Sequence, residues 1–166
     1  MEYISKSIEE TKKIAEDFLE NIAKKKFSKN FNIEKATVVG LYGDLGAGKT
    51  AFVKTIAQIL NIKEEVTSPT FIIQKRYNIP NTTNTTKSDF FNNQNFTFKS
   101  LIHIDAYRLD LCEELMAIGW RDLLSDPLNL ILIEWPDRVA ECMPKDHVII
   151  NFTFVDEKTR KIEYEK

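Results

Sequence analysis

An α/β fold, in which helices flank a mixed and mostly parallel sheet, is predicted by three observations. Short apolar, β-branched runs alternate with stretches of helical period along the chain. One of them, ATVVGLY, leads directly into the glycine-rich loop GDLGAGKT and then into AFVKTIAQIL, which has helical spacing. Four of the five glycines (Gly40, Gly43, Gly46 and Gly48) fall within nine residues, so backbone freedom is concentrated at this one place. With 166 residues, the chain is expected to form one domain, residues 1–166, around its own core.

Residues 7–26 read as an amphipathic helix. Ser7 and Glu10 have capping-box spacing, and Ala15, Phe18, Leu19 and Ile22 share one face. Thr11 lies on its first turns and would face a ligand only if the fold brings it to one. Residues 36–42 read as a buried strand and 50–60 as a helix. Strand, loop and helix in that order are the setting a phosphate loop requires. Apolar runs at 71–73, 101–104, 130–133 and 147–154 read as further strands, and 158–164 alternates as a final edge strand. The last two are close enough in sequence for a hairpin, which makes the sheet mixed. Between the runs at 101–104 and 130–133, CEELMAIGWRDLL reads as a helix broken at Gly119. Residues 78–95, NIPNTTNTTKSDFFNNQN, are crowded with Asn and Thr and have no apolar period. They are expected to form an extended surface loop, inserted at about 78–100.

Apolar residues make up 43% of the chain and charged residues 29%, which excludes collagen-like and wholly disordered classes. The net charge is -2, and Lys and Arg are scattered rather than gathered into a basic stripe. Autonomous gripping of RNA and direct DNA binding are therefore not expected. The two cysteines, Cys112 and Cys142, lack CxxC spacing and activating neighbours. Neither a disulfide framework, a zinc site nor a reactive thiol is expected of them. The start, MEYISKSIEE, is polar, and no run approaches membrane-spanning length, so a cytoplasmic protein without membrane association is expected.

Gly43, Gly48, Lys49 and Thr50 satisfy G-x-x-x-x-G-K-[ST]. The glycines let backbone N–H groups converge on phosphate oxygens, and the following helix offers its positive end to the same anion. Lys49 would reach the β- and γ-phosphates, and the Thr50 hydroxyl would face magnesium. Average residue usage yields this pattern by accident in roughly one chain of this length in 200. Hydrolysis also needs a carboxylate at the end of a buried strand beside the loop. Glu134 ends LILIE and Asp105 follows LIHI; position alone does not choose between them, and either could serve as a cap or ion-pair partner. Thr86-Lys87-Ser88-Asp89 mimics a guanine-reading pattern, but it sits in the Asn/Thr-rich stretch and follows no strand. Arg108, Arg121 and Arg138 do not cluster as in the lid of a small-molecule kinase. A kinase and a non-hydrolysing nucleotide-binding scaffold remain the competing readings. The role of His103 stays open, a strand-end histidine being more often structural than catalytic, and His147 reads as structural.

After GDLGAGKT come SPTF at 68–71, HIDAYRL at 103–109, EEL and GW between Glu113 and Trp120, and EWPDR at 134–138. In this order the blocks resemble the TsaE (YjeE) family, small bacterial ATPases required for threonylcarbamoyladenosine in tRNAs that read codons beginning with A. The resemblance spans about 7–155, apart from the Asn/Thr-rich loop. It implies a P-loop NTPase-like domain holding ATP at Asp44, Leu45, Gly46, Ala47, Gly48, Lys49, Thr50 and Ala51, with Mg2+ at Thr50 and Glu134. It also implies that Asp105 lies near the attacking water and works with Lys49 and Glu134 as the catalytic group. Thr67 and the SPTF block that follows would form a switch segment that senses the γ-phosphate, with Trp135 beside the site and Thr11 near the nucleotide. The implied partners are TsaB and TsaD, whose complex the ATPase would reset or license, with tRNA reached only through that complex. Hydrolysis by the isolated chain should then be slow. Family members join the two strands around 78–100 by a short connection; the insertion here is expected to be neutral for the fold.

Overall fold

The computed structural model describes residues 1–26, 34–80 and 98–165. Its elements in chain order are β1 (Glu2–Ser5), α1 (Ile8–Lys26), β2 (Thr37–Tyr42), α2 (Lys49–Ile59), β3 (Gln74–Asn78) and β4 (Ser100–Asp105). There follow α3 (Cys112–Ala117), α4 (Trp120–Ser125), β5 (Asn129–Glu134), a 3₁₀ segment (Pro136–Cys142), β6 (Val148–Phe154) and β7 (Arg160–Tyr164). The strands form one sheet in the order β1-β7-β6-β2-β5-β4-β3. The inner four, β6, β2, β5 and β4, run parallel. The outer pairings are antiparallel. The expected α/β class with a mixed sheet is what forms, and parallel pairing is confined to its centre.

Burial on both faces explains why β2, β4 and β5 read as nearly unbroken apolar runs. One face carries Val39, Leu41, Leu101 and Leu132 against α1 and α2, with Phe18 and Phe52 packed edge to face at 5.8 Å. The other carries Val38, Ile102, Ile131 and Ile133 against α3, α4 and the 3₁₀ segment, around Trp120. Each such fully buried large side chain contributes about 1.5–3 kcal/mol. Trp120 also satisfies its indole, whose N–H donates to the Cys142 carbonyl at 3.1 Å.

Several expectations hold locally. The Glu10 N–H donates to Ser7 Oγ at 3.2 Å, and the Glu10 carboxylate accepts from the Lys6 N–H at 2.6 Å, so α1 starts where the capping pattern puts it. Ala15, Phe18, Leu19 and Ile22 are all buried. Gly119, at φ 85°, separates α3 from α4. β6 and β7 form the expected hairpin.

Three expectations need correcting. β7 is not an edge strand, because β1 adds to its outer side with Tyr3 opposite Ile162. A four-residue strand offers too short a pattern to read, and it depends on a distant partner. Residues 71–73 are not a strand either. The Pro69 carbonyl accepts from the N–H groups of Ile72 (2.9 Å) and Ile73 (2.6 Å), and Ile73 sits at φ 65°. That turn leaves Phe71 and Ile72 exposed, and pairing begins at Gln74. Lastly, Cys112 and Cys142 form a disulfide with Cα atoms 5.7 Å apart. They are 30 positions apart, but each lies on a segment leaving one of two adjacent parallel strands, and both segments cover the same face.

The ladder at the base of the insertion is closed. Asn78 pairs with Ser100, and the Ile79 N–H donates to the Lys99 carbonyl at 2.9 Å. The greater part of the expected surface loop, 81–97, lies outside the described residues. No helix among the described residues is long and apolar enough to cross a membrane.

A cross-link closing 30 residues should stabilise the folded state by about 3.6 kcal/mol. Thermal unfolding with and without reductant is expected to differ by several degrees, and Cys142→Ser should remove the difference.

Candidate functional site

β2 delivers the chain to the C-terminal edge of the parallel strands, where ligand sites form in open α/β sheets. The next residue, Gly43, stands at φ 134°, and a Cβ there would run into the backbone of Phe152. Only glycine allows so close an approach. Gly48, at φ 108°, turns the chain into α2. The first α2 residue, Lys49, is buried; its Nζ donates to the carbonyls of Gly43 (2.5 Å) and Asp44 (2.9 Å) and lies 3.8 Å from the Trp135 ring centroid. Burial pushes its pKa down, while Glu134, Asp105, Asp44 and Asp137 pull it back up.

On the next position of α2, Thr50 Oγ1 donates to Glu134, with its hydrogen shared between Oε1 at 2.8 Å and Oε2 at 3.0 Å. Glu134 ends β5 and is only 3% exposed. A second group reaches Oε1: Nε2 of His103, at 2.8 Å. On the neighbouring strand, Asp105 is the register partner of Glu134. Its Oδ2 accepts from Ser68 Oγ (3.0 Å) and Thr70 Oγ1 (2.5 Å), and its Oδ1 from the Tyr107 N–H (3.1 Å). The Asp105 N–H donates to the Ile73 carbonyl at 2.9 Å, so the segment 68–73 is tied to β4 at both ends. Trp135 follows Glu134 in a left-handed conformation, φ 59°, which throws its ring back across Lys49 and beside Tyr107.

Two cavities meet at this loop and share Gly46, Gly48 and Ala51. One, about 300 Å³, is lined by Leu45, Lys49, Thr50, Ser68, Thr70, Asp105, Glu134 and Trp135. The other, about 330 Å³, lies between the loop, Ser5 and Thr11 on the N-terminal side, and Arg160 of β7; Ala47 is in its wall. Thr11 is thus brought to the loop, and its Oγ1 is 2.7 Å from Ser5 Oγ. A third cavity, of about 360 Å³, opens by Lys35, Thr37, Arg121 and His147 and contains none of the candidate residues.

The structure brings Lys49, Thr50, Asp105, Glu134 and Trp135 to one cavity and Thr11 to the adjoining one. Within the expected switch segment, Thr67 is exposed and lines neither loop cavity, whereas Ser68 and Thr70 of the SPTF block donate to Asp105. Asp44 contributes its carbonyl rather than a cavity-facing side chain. The role of His103, open from the sequence, is signalled by its i, i+2 spacing from Asp105, which puts both on one face of β4. Ser5 and Arg160 had no such signal: they lie on the paired strands β1 and β7, which only the tertiary fold carries to the loop.

The donor set fits a nucleotide triphosphate with magnesium. A hydroxyl and a carboxylate converge beside a glycine-lined anion cradle, and magnesium commonly takes few protein oxygens and completes its shell with phosphates and water. Accordingly, the lack of any cluster of three or more His, Cys, Asp or Glu suited to a metal among the described residues does not count against it.

The sheet order, the loop and the carboxylates at the strand ends define an α/β protein of the P-loop NTPase kind. The family model for the threonylcarbamoyl adenosine biosynthesis protein TsaE matches residues 5–162. The chain is 32% identical over 142 residues to the Haemophilus influenzae tRNA threonylcarbamoyladenosine biosynthesis protein TsaE, covering 84% of this chain and 78% of that protein. It is 38% identical over 130 residues to the Borreliella burgdorferi TsaE, covering 77% and 81% respectively. The crystal structure of YdiB from Bacillus subtilis superposes with a TM-score of 0.62 at 26% identity, over 99% of this chain and 83% of that one. The chain belongs to the TsaE family, the accessory proteins of threonylcarbamoyladenosine modification of tRNA.

Trp135 should report on the loop. A ligand that draws the Lys49 ammonium off its ring is expected to change tryptophan emission when ATP and magnesium are added. The change should vanish in Trp135→Phe and persist in Trp120→Phe, because Trp120 is fully buried and lines neither loop cavity.

Proposed function

We propose that the protein binds ATP with magnesium at residues 43–51 and hydrolyses it slowly, as the nucleotide-driven component acting on a TsaB–TsaD complex. The observation that carries this reading is the convergence of Lys49, Thr50, Asp105 and Glu134 on one cavity at the ends of the parallel strands. Lys49 would exchange its two carbonyl partners for the β- and γ-phosphates. Thr50 and Glu134 would hold magnesium, whose charge offsets that of the phosphates when it is bound. Asp105 would orient the attacking water. In this reading, water displaces ADP from the γ-phosphorus, so the products are ADP and inorganic phosphate.

The same hydrogen bonds explain why turnover by the chain alone should be slow. Three of the roughly four acceptor sites of the Asp105 carboxylate are taken by Ser68, Thr70 and the Tyr107 N–H, so the segment 68–73 holds both hydroxyls where water would otherwise approach Oδ2. Releasing Oδ2 requires the segment 68–73 to move. That segment carries exposed apolar groups at the rim of the site: Phe71 is 84% and Ile72 63% exposed, with Leu45 of the loop at 82%. Such a rim suits a protein partner that covers the site and shifts the segment as it docks. In this reading the protein works in the cytoplasm and reaches tRNA only through the complex.

Phosphate release should be measured for the protein alone and with its cognate TsaB and TsaD. A slow basal rate that rises with both partners is expected; transfer to an added small-molecule acceptor would instead mean a kinase. Lys49→Ala should weaken ATP binding about 10- to 100-fold, as expected for loss of a charged hydrogen bond of about 1.5–3 kcal/mol. Glu134→Ala should lower turnover by about tenfold or more while affecting binding less. Unimpaired hydrolysis in both variants would refute the site.

A further inference from the structure

His103 meets the site through Glu134. It is fully buried on β4, and Nε2 stands 2.8 Å from Glu134 Oε1. A carboxylate only accepts, so Nε2 carries the hydrogen and donates it. The other ring nitrogen, Nδ1, is buried without a hydrogen-bond partner in the structure. The imidazole thus directs its single polar contact at Glu134. Apart from His103, the donor on the Glu134 side chain among the described residues is the Thr50 hydroxyl. That hydroxyl is the one assigned above to magnesium. Once it turns to the ligand, His103 is left as the group that keeps the buried carboxylate oriented. A carboxylate deprived of both donors would swing toward water and lose its aim at the cavity.

We propose that His103 is a positioning residue that holds the Glu134 carboxylate in its ligand-facing orientation while Thr50 is engaged by the magnesium–nucleotide complex. The inference rests on the reading of Glu134 and Thr50 as the magnesium side of the site. The imidazole needs no contact with nucleotide or metal. Its effect passes through one hydrogen bond, and this is what separates it from a residue that merely fills the core.

The test compares three substitutions by calorimetric ATP binding across a magnesium titration, by binding in EDTA, and by steady-state turnover. His103→Gln keeps an amide N–H near the position of Nε2. His103→Phe keeps the ring without a donor. His103→Asn has an amide that stops short of Glu134. The Phe and Asn variants should require about 10- to 100-fold more magnesium for half-maximal ATP binding and lose kcat with little change in KM. Their affinity for ATP in EDTA should be unchanged, and the Gln variant should recover most of the loss. A Gln variant as impaired as Asn, or a Phe variant with normal magnesium dependence, would overturn the proposal. If the Phe variant does not fold, the Gln–Asn comparison decides. Glu134→Gln, run in parallel, separates the two levels of inference. Unchanged magnesium dependence there sinks the assignment of Glu134 and the role of His103 with it. Lost dependence there with normal His103 variants sinks the His103 role alone.

Discussion

A carboxylate removed from water at the end of a central strand is the constraint on which the site depends. Glu134 is 3% exposed, and an ionised group so placed is tolerable only with donors at hydrogen-bond distance. Thr50 supplies one from α2 and His103 another from β4. This fixes where α2 must begin, because Thr50 has to lie above the end of β5. The loop before it therefore has to turn within a few residues of the end of β2, and Gly43 and Gly48 make that turn possible at φ values that residues with a Cβ rarely adopt. Loop, helix start and both strand ends are parts of one solution to a buried charge.

The sheet makes the solution possible. Parallel pairing of β2, β5 and β4 brings their C-terminal ends to one edge, with Leu41 opposite Glu134 and Glu134 opposite Asp105. Side chains alternate between faces, so the polar positions His103, Asp105 and Glu134 fall on the α2 side. The intervening Ile104 and Ile133 pack on the other side, against α3, α4 and the 3₁₀ segment. The disulfide belongs to that second layer and ties the segments that leave β4 and β5 just beyond Asp105 and Glu134. It restrains the backbone behind the site without entering it.

Each candidate side chain already has a hydrogen-bond partner within the protein. Lys49 is bound to the loop carbonyls, Thr50 to Glu134, and Asp105 to Ser68 and Thr70. In the proposed reading a ligand would compete for these contacts, which would couple its binding to the position of the segment 68–73. Ile73, a β-branched residue at φ 65°, sits at the hinge of that segment in a conformation that costs energy and is commonly associated with functional strain.

The sequence by itself determined the α/β class, the buried inner strands, the phosphate loop and the two strand-end carboxylates. These are written in local period and spacing: continuous apolar runs for strands covered on both faces, and glycines where the backbone must turn. Only the tertiary structure decided the rest. It decided that Glu134 is held by Thr50 and His103, because hydrogen bonds across 84 and 31 positions leave no local trace. It decided that Ser68 and Thr70, rather than Thr67, face Asp105, because the turn after Pro69 sets the direction of those side chains. It decided that β7 is interior and that Cys112 meets Cys142, because both depend on which segments the sheet order makes neighbours. Short-range pattern specifies which elements form; the choice of partners is made by packing between elements far apart in the chain.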